Sequence, residues 1–424
     1  MPWWFVRAWM TPQTAYAAGG GESGAVSEIV LLLALVAVAY LLTHFVVGRL
    51  QRWFLIVAGL EYVVLGALLG PGVPVVKAFD DLTKLLPVIA LATGWIGLLR
   101  GMELRRDILS SAPRGTLRIA LFDVIFAGGL VTAASYFLAM SGFLGPITAS
   151  EASILAGVLG CCAATRTTEP LDIIERRYRV EGPTVPLLRQ SARVGDALSI
   201  FVFGLLFCIF RPHEGASYDL SAAGWIGVST GLGVLLGLLF RPFLGKDDSE
   251  NGRFLALVGI ITFAEGAAWF LELSALYVNL ILGLVLVNTT QAGKEIHQTL
   301  ERTNRPITLV LLVFAGALWV PPDPVPTVAL GVSFIALRLL GKALASRVAA
   351  ANGLLRRDLF RGQLGHGDAT IAMAVSFKLL FQGPAIDVAY SVIVGSVILH
   401  YLIAPRFLRA LLVDGGEVRQ EQET

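Results

Sequence analysis

The chain has little charge for its length: only 15% of its 424 residues are Asp, Glu, Lys or Arg, whereas 55% are hydrophobic. Soluble domains usually carry about a quarter of their residues as charged side chains. Its three cysteines all lie in apolar runs and form no CxxC pair, which argues against a redox or metal role. No P-loop, HExxH or GxSxG motif is present. We therefore expect no enzymatic activity, no cofactor and no nucleic-acid partner.

Long apolar runs dominate the sequence instead. About 20 apolar residues span a bilayer as an α-helix, and a run without polar alternation is not a barrel strand. Because backbone groups in lipid must be hydrogen-bonded internally, the spans should be helical. We predict an all-α polytopic membrane protein with thirteen transmembrane helices. The predicted spans are 26–47, 53–71, 84–102, 117–140, 151–173, 189–210, 221–240, 254–271, 274–290, 305–320, 326–346, 361–381 and 385–405.

The first 24 residues differ from the rest of the chain. The segment MPWWFVRAWM is rich in tryptophan and is followed by the glycine-rich AAGGGESG. The tripeptide AYA at 15–17 resembles a signal-peptidase site, but the preceding apolar run is short and is broken by Arg7 and Pro12. We predict that residues 1–24 form an interfacial segment and a linker.

The basic residues test the number of spans. With the N-terminus outside, most of the 33 Lys and Arg residues fall in the loops on the inner side. Only Arg7, Lys77, Lys84 and Arg211 fall in outer loops, as the positive-inside rule requires. This distribution favours thirteen spans and a cytoplasmic tail at 411–424. We expect the membrane to be a bacterial inner membrane.

An internal repeat divides the chain into two halves. LEYVVLGALLG at 60–70 resembles LYVNLILGLVL at 276–286, and an apolar helix with few basic residues follows each copy. Seven spans separate the copies, so the second copy runs through the membrane upside down, as in many secondary transporters. The alternative is a chance similarity of two Leu/Val-rich helices. The predicted repeats are 25–211 and 253–410, with a linker helix within 212–252.

Two spans in corresponding positions of these halves carry polar interruptions. The first reads LAGVLGCCAATRTTEPLDII and the second RGQLGHGDATIAMAVSFKLL. Proline and clustered glycine loosen a helix, and paired broken helices are the best sequence indication of a transport site. Arg166, Glu169 and Asp368 are predicted to compensate the partial charges of the helix ends, with direct ion ligation as the alternative. The helix-breaking residues are Pro170, Gly365, His366 and Gly367.

Asp196 is the most unusual side chain of the next span. It lies about two turns beyond Arg189, and a carboxylate deep in a bilayer costs about 2.5–3.5 kcal/mol, so it should face the bundle interior and have a partner. Lys342 and Arg338 lie one turn apart on one helix face and supply the predicted cationic partner. The alternative for Lys342 is a side chain that extends to the membrane interface. A carboxylate that holds either a proton or a metal ion couples two fluxes.

In their order and spacing, these motifs resemble the monovalent cation:proton antiporter superfamily over nearly the whole chain after residue 25. EYVVLGALLGP and GLLRGMELRRDIL look like its second and third spans, AATRTTEP and GHGDATIAMA like its broken helices, and VGDALSIF like the segment with its Asn-Asp or Asp-Asp pair. The resemblance implies that Asp196 binds the ion and the proton, with hydroxyl ligands from Thr165, Thr168 and Ser199. Lys342 is expected beside it.

The resemblance also implies a mechanism. Spans 4–6 and 11–13 would move against a homodimeric scaffold of spans 1–3 and 7–10 and exchange Na⁺ or K⁺ for H⁺. The sequence departs from the family pattern where Gly195 replaces the first residue of the acidic pair, which favours electroneutral exchange. Arg166 stands where many members have an acid, and Glu169, Asp172 or Asp123 are candidate substitutes. A gated cation channel of the same fold and a non-transporting membrane sensor are the alternatives.

Overall fold

The computed structural model describes residues 59–70, 85–210, 220–243, 250–353 and 355–419. Within these ranges the protein is almost entirely helical, as predicted. The strands in this part of the chain are an antiparallel pair of two residues each, β1 (Arg179–Val180) and β2 (Val418–Arg419). The predicted first span at 26–47 and the N-terminal segment lie outside the described residues.

Fourteen α-helices occupy the described ranges, and they account for twelve of the thirteen predicted spans. Six are long and apolar enough to cross a membrane by length and composition. The helices are α1 (Leu60–Leu69), α2 (Leu86–Met102), α3 (Arg106–Ser110), α4 (Thr116–Met140), α5 (Ala149–Ala164), α6 (Glu169–Arg177), α7 (Thr184–Ile209), α8 (Ala222–Phe240), α9 (Glu250–Phe270), α10 (Ala275–Thr289), α11 (Gly293–Ala317), α12 (Pro324–Ala349), α13 (Asp368–Leu380) and α14 (Pro384–Asp414).

Local sequence explains several helix ends and one irregularity. Thr148 and Glu151 form a capping box at the start of α5, and Ser221 and Ser274 accept backbone N–H bonds at the starts of α8 and α10. Helix α4 contains a π-helical segment at Val124–Gly128. Such a segment re-aims the side chains beside it and is frequent at functional sites.

Helices α1, α2 and α8–α11 pack into one unit, here called the scaffold. A Cβ atom on Gly101 would lie 2.1 Å from the Leu280 carbonyl oxygen, so α2 and α10 approach closely only because residue 101 is glycine. Helices α1 and α11 meet in the same way, since Cβ atoms on Gly66 and Gly316 would lie 1.8 and 2.0 Å from the opposing carbonyl oxygens. In each pair, the second span of one half contacts the third span of the other half. An inverted repeat produces the same contact twice in this way.

Helices α4–α7 and α12–α14 form the second unit, here called the core bundle. Two of its spans are broken, as predicted. The first stops being helical over residues 165–168, between α5 and α6, and the second over residues 363–367, before α13. The breaks touch each other, because a Cβ atom on Gly365 would lie 2.5 Å from Thr167 Cγ2. The two discontinuous spans therefore cross at their non-helical segments.

Candidate functional site

Asp196 lies at this crossing. It is on α7, only 1% of it is exposed, and its Oδ1 accepts a hydrogen bond of 2.8 Å from the backbone N–H of Arg166 in the first break. Its Oδ2 lies 3.8 Å from Nε of Arg100, which belongs to the scaffold helix α2. The carboxylate thus faces the protein interior at the boundary between the core bundle and the scaffold.

Asp123 is a second buried carboxylate at the crossing, one that the sequence suggested only as a substitute acid. It is fully buried on α4, and its Oδ2 accepts hydrogen bonds from Lys342 Nζ at 2.6 Å and from Arg166 Nε at 2.9 Å. An aspartate within an apolar helix is the same signal that drew attention to Asp196. Its position beside the π-helical segment is visible only in the structure.

Lys342 therefore pairs with Asp123 and not, as predicted, with Asp196. The reason is the close approach of α12 to α4: a Cβ atom on Gly341 would lie 2.4 Å from the Cα atom of Ala127. This contact fixes which way α12 faces and brings the next residue, Lys342, against the carboxylate of α4. Lys342 Nζ also donates to the Thr165 carbonyl at 3.3 Å, so the side chain is not extended towards the membrane interface.

Arg338 is the side chain that neutralises the partial negative charge of the backbone carbonyls at the breaks, a role that the sequence suggested for Arg166. From one turn before Lys342, its guanidinium donates to the carbonyl oxygens of both breaks. The acceptors are Ala163 at 3.1 Å, Thr165 at 3.2 Å, Leu364 at 2.7 Å and Gly365 at 3.3 Å. The last carbonyls of a helix carry partial negative charge and lack partners within the helix. A single buried arginine thus binds carbonyl oxygens at the C-terminal end of α5 and within the second break.

Arg166 has a different role. Only 1% of it is exposed, and besides Asp123 its guanidinium donates to the carbonyl oxygens of Ile119 at 3.0 Å and Ser191 at 3.4 Å. Neither carbonyl belongs to a break. The guanidinium therefore binds to α4 and α7 rather than to a helix end, and charge compensation by Arg166 stays a prediction.

Asp368 is the first residue of α13, where the N-terminal end of the half-helix carries partial positive charge. Its Oδ1 accepts from its neighbour's backbone N–H, that of Ala369, at 2.8 Å, and its Oδ2 from Asn304 of the scaffold at 3.0 Å. Arg100 forms a salt bridge with it and donates to Glu103 at 2.9 and 3.0 Å. Sequence reasoning counted Arg100 among the loop arginines and missed this bridge between scaffold and core bundle.

Two of the hydroxyl groups predicted to bind the ion form hydrogen bonds within the core bundle. The Thr165 hydroxyl donates to the Cys162 carbonyl at 2.6 Å and lies 2.6 Å from Thr370 Oγ1 and 3.2 Å from His366 Nδ1. It therefore joins the first break to α13. The Ser199 hydroxyl donates to the Gly195 carbonyl at 2.9 Å on its own helix.

Four further predicted residues lie at the C-terminal end of the first break and within the second. Thr168 is the N-cap residue of α6 without a side-chain cap bond. Glu169, half-buried, and Pro170, buried, begin that helix. Glu169 Oε2 has no hydrogen-bond partner in the described part of the chain. His366, between Gly365 and Gly367, is fully buried and lies 3.0 Å through Nε2 from Ser396 Oγ.

Comparison with solved structures identifies this architecture. The sodium proton antiporter MjNhaP1 from Methanocaldococcus jannaschii, solved at pH 8, superposes with a TM-score of 0.63 over 92% of this chain and 98% of that chain, at 15% identity. The chain has the sodium/proton antiporter fold. A second MjNhaP1 structure, a three-dimensional electron-microscopy map, gives a TM-score of 0.60 over 92% and 99% of the two chains, at 15% identity. No protein-family model and no curated protein matches the sequence.

Within this antiporter fold, the crossing carries more positive than negative side chains. Arg166, Arg338 and Lys342 surround the carboxylates of Asp123 and Asp196, and all five are at most 1% exposed. In the described residues, no group of three or more His, Cys, Asp or Glu side chains is arranged to hold a resident metal ion. Asp196 differs from Asp123 because, among the described residues, no buried side chain of the core bundle donates to it. Its chemistry is therefore that of a carboxylate whose charge partner, Arg100, comes from the other unit.

Proposed function

We propose that the protein is a secondary active transporter that exchanges a monovalent cation, Na⁺ or K⁺, for protons by alternating access. The observation that carries this proposal is the position of Asp196, a buried carboxylate at the crossing of two broken helices and at the boundary between two units. Binding sites of secondary transporters lie near the membrane midplane between structural repeats. The similarity to a sodium proton antiporter supports the same reaction class.

The coupling follows from a single carboxylate. Asp196 Oδ1 is occupied by the Arg166 backbone N–H, whereas Oδ2 faces Arg100 across the boundary between the units. A proton or a cation at Oδ2 removes the charge that attracts Arg100, and the two ligands compete for the same oxygen. One cation then replaces one proton, so the exchange is electroneutral. Thr168 and Ser199 are retained as candidate ligands, and the Thr165 hydroxyl positions the first break.

The same proposal includes the surroundings of the protein. The core bundle moves past the scaffold, and the scaffold of two copies forms a homodimer in a bacterial inner membrane, with the N-terminus outside and the C-terminus in the cytoplasm. The exposed apolar side chains of α8 and α9, such as Leu235, Leu239, Leu255 and Phe263, suit contact with lipid or with a second copy.

Proton flux in proteoliposomes tests the proposal. In the wild type, addition of Na⁺ or K⁺ should dissipate an imposed proton gradient, and Li⁺ is a further probe. The variant Asp196→Asn should show no such response. Asp107→Asn is the matched control, because Asp107 lies on the short helix α3 with 60% of its side chain exposed, and it should leave the flux unchanged. Cation flux without proton movement would instead indicate a channel.

A non-transporting sensor is the second candidate, and one observation favours it. Both carboxylates at the crossing already have arginine partners, Arg166 at Asp123 and Arg100 at Asp196. A transported cation must displace these arginine side chains from the carboxylates. If no cation can displace them, the protein would not transport ions and would respond to a membrane signal by a conformational change alone. Absence of flux in the correctly folded wild type for all three cations would decide for this candidate.

A further inference from the structure

The surroundings of the Arg166 guanidinium are those of a bound cation. Its described hydrogen-bond acceptors are all oxygens: Asp123 Oδ2 at 2.9 Å, the Ile119 carbonyl at 3.0 Å and the Ser191 carbonyl at 3.4 Å. Arg166 is 1% exposed, so these oxygens replace water around the charge. Carbonyl and carboxylate oxygens are also the groups with which proteins replace the hydration shell of a dehydrated monovalent cation. We call these three oxygens the Asp123 oxygen shell.

Because Gly195 has no side chain, the Arg166 guanidinium can lie against the backbone of α7. A Cβ atom on Gly195 would lie 3.3 Å from Arg166 Nε, which is slightly tighter than ordinary van der Waals contact, and 3.4 Å from its Cζ. Any larger side chain would have to share this space with the guanidinium. The two departures from the family pattern noted in the sequence, at positions 195 and 166, are therefore in contact with each other.

Charge balance shows that the shell has no need of a further cation. Lys342 Nζ and Arg166 Nε both donate to the same oxygen of Asp123, at 2.6 and 2.9 Å. Two buried cations thus face one buried carboxylate. The other oxygen, Asp123 Oδ1, is buried and has no hydrogen-bond partner among the described residues. Without the Arg166 side chain, Asp123 would keep Lys342, but the Ile119 and Ser191 carbonyl oxygens would lose their guanidinium donor. Buried acceptors without a donor are costly, so removal of Arg166 should favour a replacement of the same shape.

We propose that Arg166 is a specificity-determining residue whose guanidinium is a tethered cation that permanently fills the Asp123 oxygen shell. Asp196 is then left as the carboxylate for a mobile cation. An alanine at position 166 should turn the shell into a binding site for a small cation of the same shape, guanidinium. The assignment of the mobile ion to Asp196 rests on the proposed function, whereas the occupancy of the shell does not.

Chemical complementation of the purified full-length protein in detergent tests this. For Arg166→Ala, we expect a lower Tm than the wild type and a saturable rise of several degrees with guanidinium chloride, since a ligand that binds only the folded state raises Tm. Urea has the same planar shape without the charge, and it should give no rise. Arg189→Ala is the matched control, because Arg189 is 32% exposed and pairs with Asp172 outside the shell. Its Tm should not respond to guanidinium.

Double variants separate the shell from Asp196. The guanidinium response should persist in Arg166→Ala/Asp196→Asn and disappear in Arg166→Ala/Asp123→Asn. An equal response to urea, an equal response of Arg189→Ala, or no response of folded Arg166→Ala overturns the proposal. If Arg166→Ala does not yield folded protein, Arg166→Lys should be more thermostable than the neutral Arg166→Gln. Equal or reversed stability of these two also overturns it.

The transport assay keeps the two proposals apart. Complementation without any cation-dependent proton flux in the wild type would remove the proposed function and leave the tethered cation standing. Flux that depends on Asp196, together with no guanidinium response in Arg166→Ala, would remove the tethered cation and leave the exchanger.

Discussion

The scaffold and the core bundle are built from similarly apolar helices, but different features hold each of them together. In the scaffold, α1, α2, α10 and α11 are continuous helices, with one internal proline at Pro306 of α11, and glycines let the helices touch. In the core bundle, two helices are broken, and the carbonyls released there are held by buried charged side chains, above all Arg338. Unbroken membrane helices need only small residues at their contacts, whereas broken ones need polar partners for the freed backbone groups.

This contrast makes the two units sensitive to different changes. The scaffold should depend mainly on the absence of side chains at its glycine contacts. The core bundle has such contacts too, at Gly341, but should depend in addition on a few large charged side chains. The two units meet at Arg100, which belongs to the scaffold by its helix and to the core bundle by its salt bridges with Asp368 and Asp196.

Removal of Arg338 should have the largest effect. Arg338→Met leaves four carbonyl acceptors in or beside the two breaks, as well as His400 Nε2, without this donor. Loss of one partner from a buried charged network costs about 3–5 kcal/mol. We expect little folded protein, measured as the monodisperse fraction in detergent and by Tm. Arg347→Met on the same helix, where the side chain is exposed, is the control. Equal Tm values for the two variants would contradict the role of Arg338.

The addition of one methyl group at a glycine contact of the scaffold should have the next largest effect. In Gly101→Ala the new Cβ atom would lie 2.1 Å from the Leu280 carbonyl oxygen, so α2 and α10 must separate. Overpacking of this kind costs about 1–3 kcal/mol. Gly259→Ala is the matched control, because no described atom lies within 4 Å of its added Cβ and alanine favours the helix. The Tm should fall for Gly101→Ala and hold or rise for Gly259→Ala. A similar change in both would remove the glycine contact as the reason.

The sequence was sufficient for those features that depend on local chemistry. The apolar runs predicted the helices, the Gly/Pro interruptions at 165–170 and 365–368 predicted the breaks, and an acid in an apolar run singled out Asp196. It was insufficient where the result depends on how a helix is rotated against its neighbour. The contact of Gly341 with Ala127 turns Lys342 to Asp123, and no periodicity of α12 alone contains that information. The bridge of Arg100 was missed for the same reason.

Arg100→Gln tests the contact between the scaffold and the core bundle that Arg100 makes with Asp196 and Asp368. If Arg100 competes with the transported cation for Asp196, its loss should lower the KM for the cation about tenfold, which corresponds to about 1.4 kcal/mol. The measurement is the cation dependence of proton flux in proteoliposomes. Arg100→Lys should stay close to the wild type, and Arg105→Gln, whose arginine pairs with the exposed Asp107, should not change the KM. An unchanged or higher KM in Arg100→Gln would show that Arg100 does not compete with the ion.

The smallest effect is expected for Glu265→Gln, which makes in the scaffold the same chemical change that Asp196→Asn makes in the core bundle. Glu265 is 7% exposed, and its Oε1 accepts from Asn279 Nδ2 at 3.1 Å. The amide keeps this acceptor and nearly the same shape, and hydrogen bonds between membrane helices contribute only about 0.6 kcal/mol on average. Flux and Tm should therefore stay close to those of the wild type. Because both variants replace a buried carboxyl group by an amide, loss of flux in Asp196→Asn alone would locate the exchange chemistry in the core bundle. Loss in Glu265→Gln would locate it in the scaffold and reverse the comparison.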